Sequence, residues 1–248
     1  MPKPKSKSQK LLTAEIAEQL LEDLGNSDGM MGVMVGIEEF TAIEDEAIEV
    51  FSEKRCALDL NGLTSLSDAA AEGLSKHEYH LSLNGLTSLS DAAAESLSKY
   101  KGGLLSLEGL TSLSDAAAES LSKHKGDLYL QGLTSLSDAA AESLSKHKNG
   151  GLYLEGLKSL SDAAAESLSK HKGGDLYLNG LTSLSDAAAE SLSKHKGDLY
   201  LQGLTSLSDA AAESLSKHKG TFYLKSKNLS KSAADILRLS PSFRDVTG

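Results

Sequence analysis

The chain has a single cysteine, Cys56. That excludes an internal disulfide framework and any cysteine-based structural zinc site. Positive charge is in deficit: 25 Lys+Arg stand against 35 Asp+Glu, for a formal net charge of −10. A general nucleic-acid binder is therefore not expected, because phosphate neutralisation needs a basic footprint. No run approaches the roughly 18 consecutive apolar residues of a membrane span. The basic start MPKPKSKSQK is followed by no apolar h-region, so no Sec-type signal peptide is expected and the simplest compartment is a reducing cytoplasm. Glycine-rich phosphate loops, His-Glu-x-x-His and a nucleophile elbow are all missing. With no unique convergent pocket in prospect, the chain is not expected to be an enzyme and no cofactor is implied.

What the chain has in abundance is repetition. Leu-x-Leu-x-Gly-Leu starts at Leu58, Leu81, Leu105, Leu128, Leu152, Leu176 and Leu199, so successive copies lie 23 or 24 residues apart. A fixed period of this size marks a solenoid. Upstream, Val35, Ile37, Phe40 and Ile43 match Leu58, Leu60, Leu63 and Leu66 at an offset of 23. Downstream, Phe222-x-Leu224 opens a unit that drops one loop residue before Leu229 and ends near Leu237. Four segments follow: a disordered basic tail (1–8), a helical, acidic N-terminal cap with a degenerate repeat (9–57), seven near-identical repeats (58–221) and a C-terminal capping repeat with its tail (222–248). Atypical terminal units are what a stacked array requires, since an open end exposes apolar core.

Each unit reads as strand, turn and helix. In Leu128-Tyr129-Leu130-Gln131 apolar and polar residues alternate with the period of a strand, and Gly132 turns the chain. From Ser137 the run SDAAAESLSKHK reads as a short helix with Ser137 as N-cap and Asp138 at the positive dipole end. Leu136, Ala140 and Leu144 form one apolar stripe, and Glu142 precedes Lys146 in the favourable i, i+4 order. Lys146, His147 and Lys148 close the helix at its negative end. The expected fold is α/β: a right-handed βα solenoid, a leucine-rich-repeat arc with a parallel concave sheet and helices on the convex side.

These residues resemble the leucine-rich-repeat family. The segment LSDAAAESLSKHKG is similar to its bacterial and ribonuclease-inhibitor-like subclass, which has a short acid-small-small-Leu helix per repeat. The resemblance covers residues 33 to about 239. It implies a protein-binding surface. One departure stands out: where the family pattern places a laddering Asn in the turn, this chain has Gly132-Leu133-Thr134 with Leu inward. Its turn must satisfy backbone groups otherwise, through the Thr134 and Ser135 hydroxyls. Near-identity of the units is what recent tandem duplication or a consensus design produces.

The outward strand positions vary most between units, and there the scarce aromatics gather. Tyr129, Tyr153, Tyr177, Tyr200 and Tyr223 align in one row, five of the seven tyrosines in a chain that is only 4% aromatic. Asp127, Asp175 and Asp198 precede the row; Gln131, Glu155, Asn179 and Gln202 follow it. Together these twelve form the candidate partner-binding surface, an aromatic stripe rimmed by acids and amides that would suit a peptide, a protein edge or a basic partner. The competing expectation is a stacking ladder that stiffens the sheet. Ser82 and Ser106, in the same row, are expected to contribute less.

His77, His124, His147, His171, His195 and His218 form a second row, interrupted by Tyr100. A metal chain or a pH switch is conceivable there, but the expectation is a polar residue favoured at a helix C-terminus. No metal site is expected. The repeated Ser-Asp reads as helix capping, not as a nucleophile with its acid. Acids concentrate in the cap, where no base occurs between Glu15 and Glu53, giving a solvated face or a dock for a basic partner. Cys56 is expected to be semi-buried. The leading functional expectation is a monomeric, non-enzymatic module binding a protein or peptide, with no nucleic-acid or membrane partner. A self-associating or spacer array and a secreted bacterial effector are the alternatives.

Overall fold

A computed structural model describes residues 10–23, 34–52 and 56–246; the expected tail at 1–8 lies outside them. The N-terminal cap contains β1 (Leu11–Leu12), α1 (Ala14–Asp23), β2 (Met34–Gly36), β3 (Ala42–Ile43) and α2 (Asp45–Ser52). The repeats follow as strand–helix pairs: β4 (Ala57–Asp59) with α3 (Asp68–Ser75), β5 (Leu81–Ser82) with α4 (Asp91–Leu97), and β6 (Leu104–Ser106) with α5 (Asp115–Leu121). Next come β7 (Asp127–Tyr129) with α6 (Asp138–Leu144), β8 (Leu152–Tyr153) with α7 (Asp162–Leu168), β9 (Leu176–Tyr177) with α8 (Asp186–Leu192), and β10 (Leu199–Tyr200) with α9 (Asp209–Leu215). The chain closes with β11 (Phe222–Leu224), a 3-10 turn (Ser226–Asn228), α10 (Lys231–Arg238) and β12 (Phe243–Asp245).

The result is a parallel βα repeat solenoid. Ten strands form one sheet in the order β12-β11-β10-β9-β8-β7-β6-β5-β4-β2, and β1 pairs separately with β3. Register follows the repeat: Leu58 pairs with Leu81, Leu128 with Leu152, Leu199 with Phe222, and Val35 with Leu58, as the 23- or 24-residue offset requires. The core is a stack of identical layers. Leu128, Leu130 and Leu133 from strand and turn meet Ala140, Ala141 and Leu144 from the helix, all fully buried. Alanine on the inner helix face lets the helix lie close to the sheet. A helix of seven residues has almost no stability alone, so this packing holds it in place.

The predicted caps are realised and then extended. Ser137 has extended backbone, and its Oγ accepts the Ala140 N–H at 2.9 Å. The same hydroxyl donates to a carboxylate oxygen of Asp115, the first helical residue of the preceding repeat. This Ser–Asp link recurs at Ser67–Asp45, Ser90–Asp68, Ser114–Asp91, Ser161–Asp138, Ser185–Asp162 and Ser208–Asp186. The capping residue thus also staples neighbouring helices. The i, i+4 pair Glu142–Lys146 forms at 3.1 Å.

Four expectations are corrected. The helix ends at Leu144 and does not run on to Lys148, because Ser145 closes the last turn: its N–H points to Ala141 and Ser143 carbonyls and its Oγ donates to Glu142 O. The chain then turns inward, so the histidines are buried and not exposed at a helix end. Cys56 is fully buried. The C-terminal cap does not finish near Leu237, since β12 adds a further strand in which Phe243 stacks on Phe222 at 5.4 Å. Turn satisfaction is partly as expected. The Thr205 hydroxyl donates to Thr182 O at 3.2 Å, but backbone bonds such as Leu133 N–H to Leu130 O, at 3.1 Å, carry most of it.

Candidate binding face

The two-residue alternation of β7 to β11 sends leucine inward and tyrosine outward, and parallel in-register pairing places each tyrosine beside the next. The five rings form one continuous stack. Centroids of Tyr129–Tyr153, Tyr153–Tyr177, Tyr177–Tyr200 and Tyr200–Tyr223 lie 3.9, 4.0, 4.2 and 4.6 Å apart, with planes within 14° of parallel. This is closer than the strands themselves, so the rings tilt, as the Tyr177 ring edge lying 3.3 Å from where a Gly151 side chain would begin also shows. Burial, followed by hydrogen bonding to the Tyr129 and Tyr177 hydroxyls, pushes the Tyr153 phenol well above the ordinary value; Tyr200 is raised in the same way. The stripe is a half-buried strip of stacked aromatic rings.

All twelve candidate residues lie on this face and all are half-buried. The acids are less available than the sequence implies. Asp127 accepts the Gly151 N–H at 2.8 Å, Asp175 the Asp198 N–H at 2.9 Å, and Asp198 the Thr221 N–H at 2.8 Å. Each therefore spends one oxygen tying its strand to the next. Asn179 does the same on the far side, taking the Gln202 N–H at 3.1 Å. Glu155 has a raised pKa, first from burial and then from the nearby Glu108 charge.

Ser82 and Ser106 are buried, at 5% and 4% exposure, which corrects their expected place on an open face. Their hydroxyls donate at 2.7 Å to Asn61 and Asn84. Those two asparagines, missed from the sequence, also accept the backbone N–H of Asn84 and Glu108 at 2.8 and 3.0 Å. An Asn ladder is therefore present, at the strand end instead of in the turn. The signal was an amide two residues after the outward strand residue in five of the seven repeats, at Asn61, Asn84, Gln131, Asn179 and Gln202.

The histidine row lies inside the solenoid. Its six members are 0–3% exposed. Adjacent rings from His124 to His218 stack with centroids 5.8–6.5 Å apart, and Tyr100 stacks on His124 at 5.8 Å. The Nε2 atoms of His171, His195 and His218 lie 3.1–3.2 Å from the carbonyls of Gly150, Gly174 and Gly197. Burial lowers the pKa of His77, His147 and His195, and brings His124 and His171 to about 4, with the His147 charge as the next cause. The imidazoles of His77, His124, His147, His171 and His195 are therefore neutral core residues at neutral pH. Among the described residues no group of three or more His, Cys, Asp or Glu is placed to hold a metal ion. No helix among them is long and apolar enough to cross a membrane. No protein-family model and no curated protein matches the chain.

Proposed function

We propose that the protein is a non-enzymatic binding module whose tyrosine-lined strand face docks a protein or peptide. The observation that carries this reading is the unbroken stack from Tyr129 to Tyr223, which offers a preformed apolar strip with hydroxyls and carboxylates along its sides. Tyrosine gives large contact area at low entropic cost, and here the neighbouring rings already restrain the rotamers. The leucine-rich-repeat resemblance supports the same use of the strand face, by analogy alone. A reducing cytoplasm suits a chain that relies on no internal disulfide. The stacking also favours a second reading, a rigid spacer in which the ladder only stiffens the sheet.

A pull-down from the producing cell tests the choice. Wild type is compared with Tyr153→Phe/Tyr177→Phe, which keeps the stack, and with a variant carrying alanine at Tyr129, Tyr153, Tyr177 and Tyr200. A prey held by wild type, weakened by the phenylalanine variant and lost by the folded alanine variant is the expected result. Recovery of the same material by all three would leave the spacer reading. Concentration-dependent mass in light scattering would then identify self-association.

A further inference from the structure

Away from the tyrosine face, clefts recur where the C-terminal ends of neighbouring helices meet: between α4 and α5, α5 and α6, α6 and α7, and α8 and α9. The cleft between α6 and α7 has a volume of about 510 Å³ and is lined by Glu142, Lys146, Lys148, Glu166, Lys170 and Lys172. Two of these lysines are paired within their own repeats, Lys146 with Glu142 at 3.1 Å and Lys170 with Glu166 at 2.9 Å. Lys148 and Lys172 are exposed and, among the described residues, in no ion pair. Lys125, Lys196 and Lys219 occupy the same position in the other clefts in the same state, while Lys101 pairs with Glu78.

The negative net charge does not cancel this edge: the glutamates lining the α6/α7 cleft, Glu142 and Glu166, are each paired with a lysine of their own repeat, and the remaining acids sit elsewhere. The helix aspartates are at the opposite helix ends, each engaged by the serine of the next repeat. The acid excess lies in the cap, where no base occurs between Glu15 and Glu53. Nor do helix carbonyls dominate the clefts: the Ser145 hydroxyl and the N–H groups of Lys146 and His147 occupy those of Glu142, Ser143 and Leu144.

We infer that this lysine edge binds a linear polyphosphate chain laid along the array, with Lys125, Lys148, Lys172, Lys196 and Lys219 as its main contacts. Neighbouring helices pack at about 8–10 Å, so the ammonium groups form a long, evenly stepped line that suits a polymer charged along its whole length. Lysine is a compact point charge suited to phosphate oxygens, and the arginines of α10 and β12, which could fork onto carboxylates, are at the end of the array. Among the described residues these clefts offer no exposed ring for nucleobases to stack on, since the histidines at this level are buried. The α6/α7 cleft has only Ala163 as an apolar lining residue, too little to enter a lipid layer.

The test is fluorescence anisotropy of the full chain with a labelled linear polyphosphate long enough to span four repeats, at about 50 mM salt. A sulfated heparin fragment, an oligo-dT and phosphatidylserine vesicles compete at matched charge. Polyphosphate should bind most tightly, and its affinity should fall steeply with added salt. Lys148→Gln/Lys172→Gln/Lys196→Gln should lower it about tenfold or more. Lys158→Gln, a turn lysine away from the clefts, should leave it unchanged, and Glu166→Gln should raise it. Circular dichroism checks the fold of the triple variant, with Lys172→Gln alone as the fallback carrying the same sign. Absence of binding by wild type, an unchanged triple variant, equal damage from Lys158→Gln, or tighter binding of any competitor overturns the inference.

Discussion

Acid should unfold this protein through its histidines before most of its carboxylates titrate. In the unfolded chain a histidine takes up its proton near the ordinary value of 6.5, whereas His124 and His171 in the fold resist protonation down to about 4. Their folded values are depressed, and for a base this means the neutral form is the one the fold accepts. Above about pH 6.5 both states are neutral and the difference contributes nothing. As pH falls from there towards about 4, the unfolded state gains protons that the folded state refuses, and stability drops. At about pH 5 each of these two residues costs about 2 kcal/mol, or about 4 kcal/mol together, a large part of an ordinary domain's stability. His77, His147 and His195 are shifted the same way and add to the loss. The Asp127 charge offsets part of it at His124 and His147, and that of Asp175 at His195. The assay is urea unfolding at about pH 7 and about pH 5. The chain supplies its own control in Tyr100, which fills the same place with its ring stacked on His124 and its hydroxyl packed against Gly102. Glycine also stands two residues after His124 and His171, at Gly126 and Gly173, so His124→Tyr/His171→Tyr fits the same template. That variant should recover most of the roughly 4 kcal/mol at about pH 5. A wild-type urea midpoint equal at both pH values, or a variant as acid-sensitive as wild type, would refute the reasoning.

Three further outcomes follow from the same geometry. Tyr177→Ser removes two ring contacts and should cost about 1–3 kcal/mol in urea unfolding, while Tyr223→Ser at the end of the stack removes one and should cost about half as much. Ser137→Ala deletes both a cap and a staple to Asp115 and should cost about 1–2 kcal/mol, against nearly nothing for the exposed Ser135→Ala. Gly132→Ala would put a methyl 2.1 Å from the Glu108 carbonyl oxygen, a backbone atom that cannot yield, and should lower the thermal midpoint clearly; Gly103→Ala, with nothing within 4 Å, should not.

The repeat, the register and the buried leucines were legible because period 23 or 24, strand alternation and helix capping all point to one unit. What was not legible is the relation between units. Ser137 reads as a cap from its own helix, but its bond to Asp115 depends on how far one repeat shifts against the next. His147 reads as a helix-end cation because Lys146 and Lys148 flank it, and only the early stop at Leu144 turns it inward. Asp127 reads as a free acid until the Gly151 N–H is seen beside it. β12 was missed because Phe243-Arg244-Asp245 follows no repeat pattern and is a strand only through β11.

These cases share one cause. In an array of near-identical units every side chain meets its own copy one strand away, about 4.8 Å along the sheet. A position is tolerated only if the residue is compatible with itself at that distance. Tyrosine satisfies this by stacking, neutral histidine by stacking beneath the helix ends, and asparagine by taking the next strand's N–H. Like charges fail the test. The aspartates of adjacent strands, Asp175 and Asp198, persist because each also accepts a backbone N–H from the following strand. On the helices the aspartates stand at one end and the lysines beyond the other, with a glutamate between them that pairs with a lysine of the same repeat. Translation of one unit therefore builds an aromatic face and a basic edge from the same rule, and a substitution in one unit is judged chiefly by the two copies beside it.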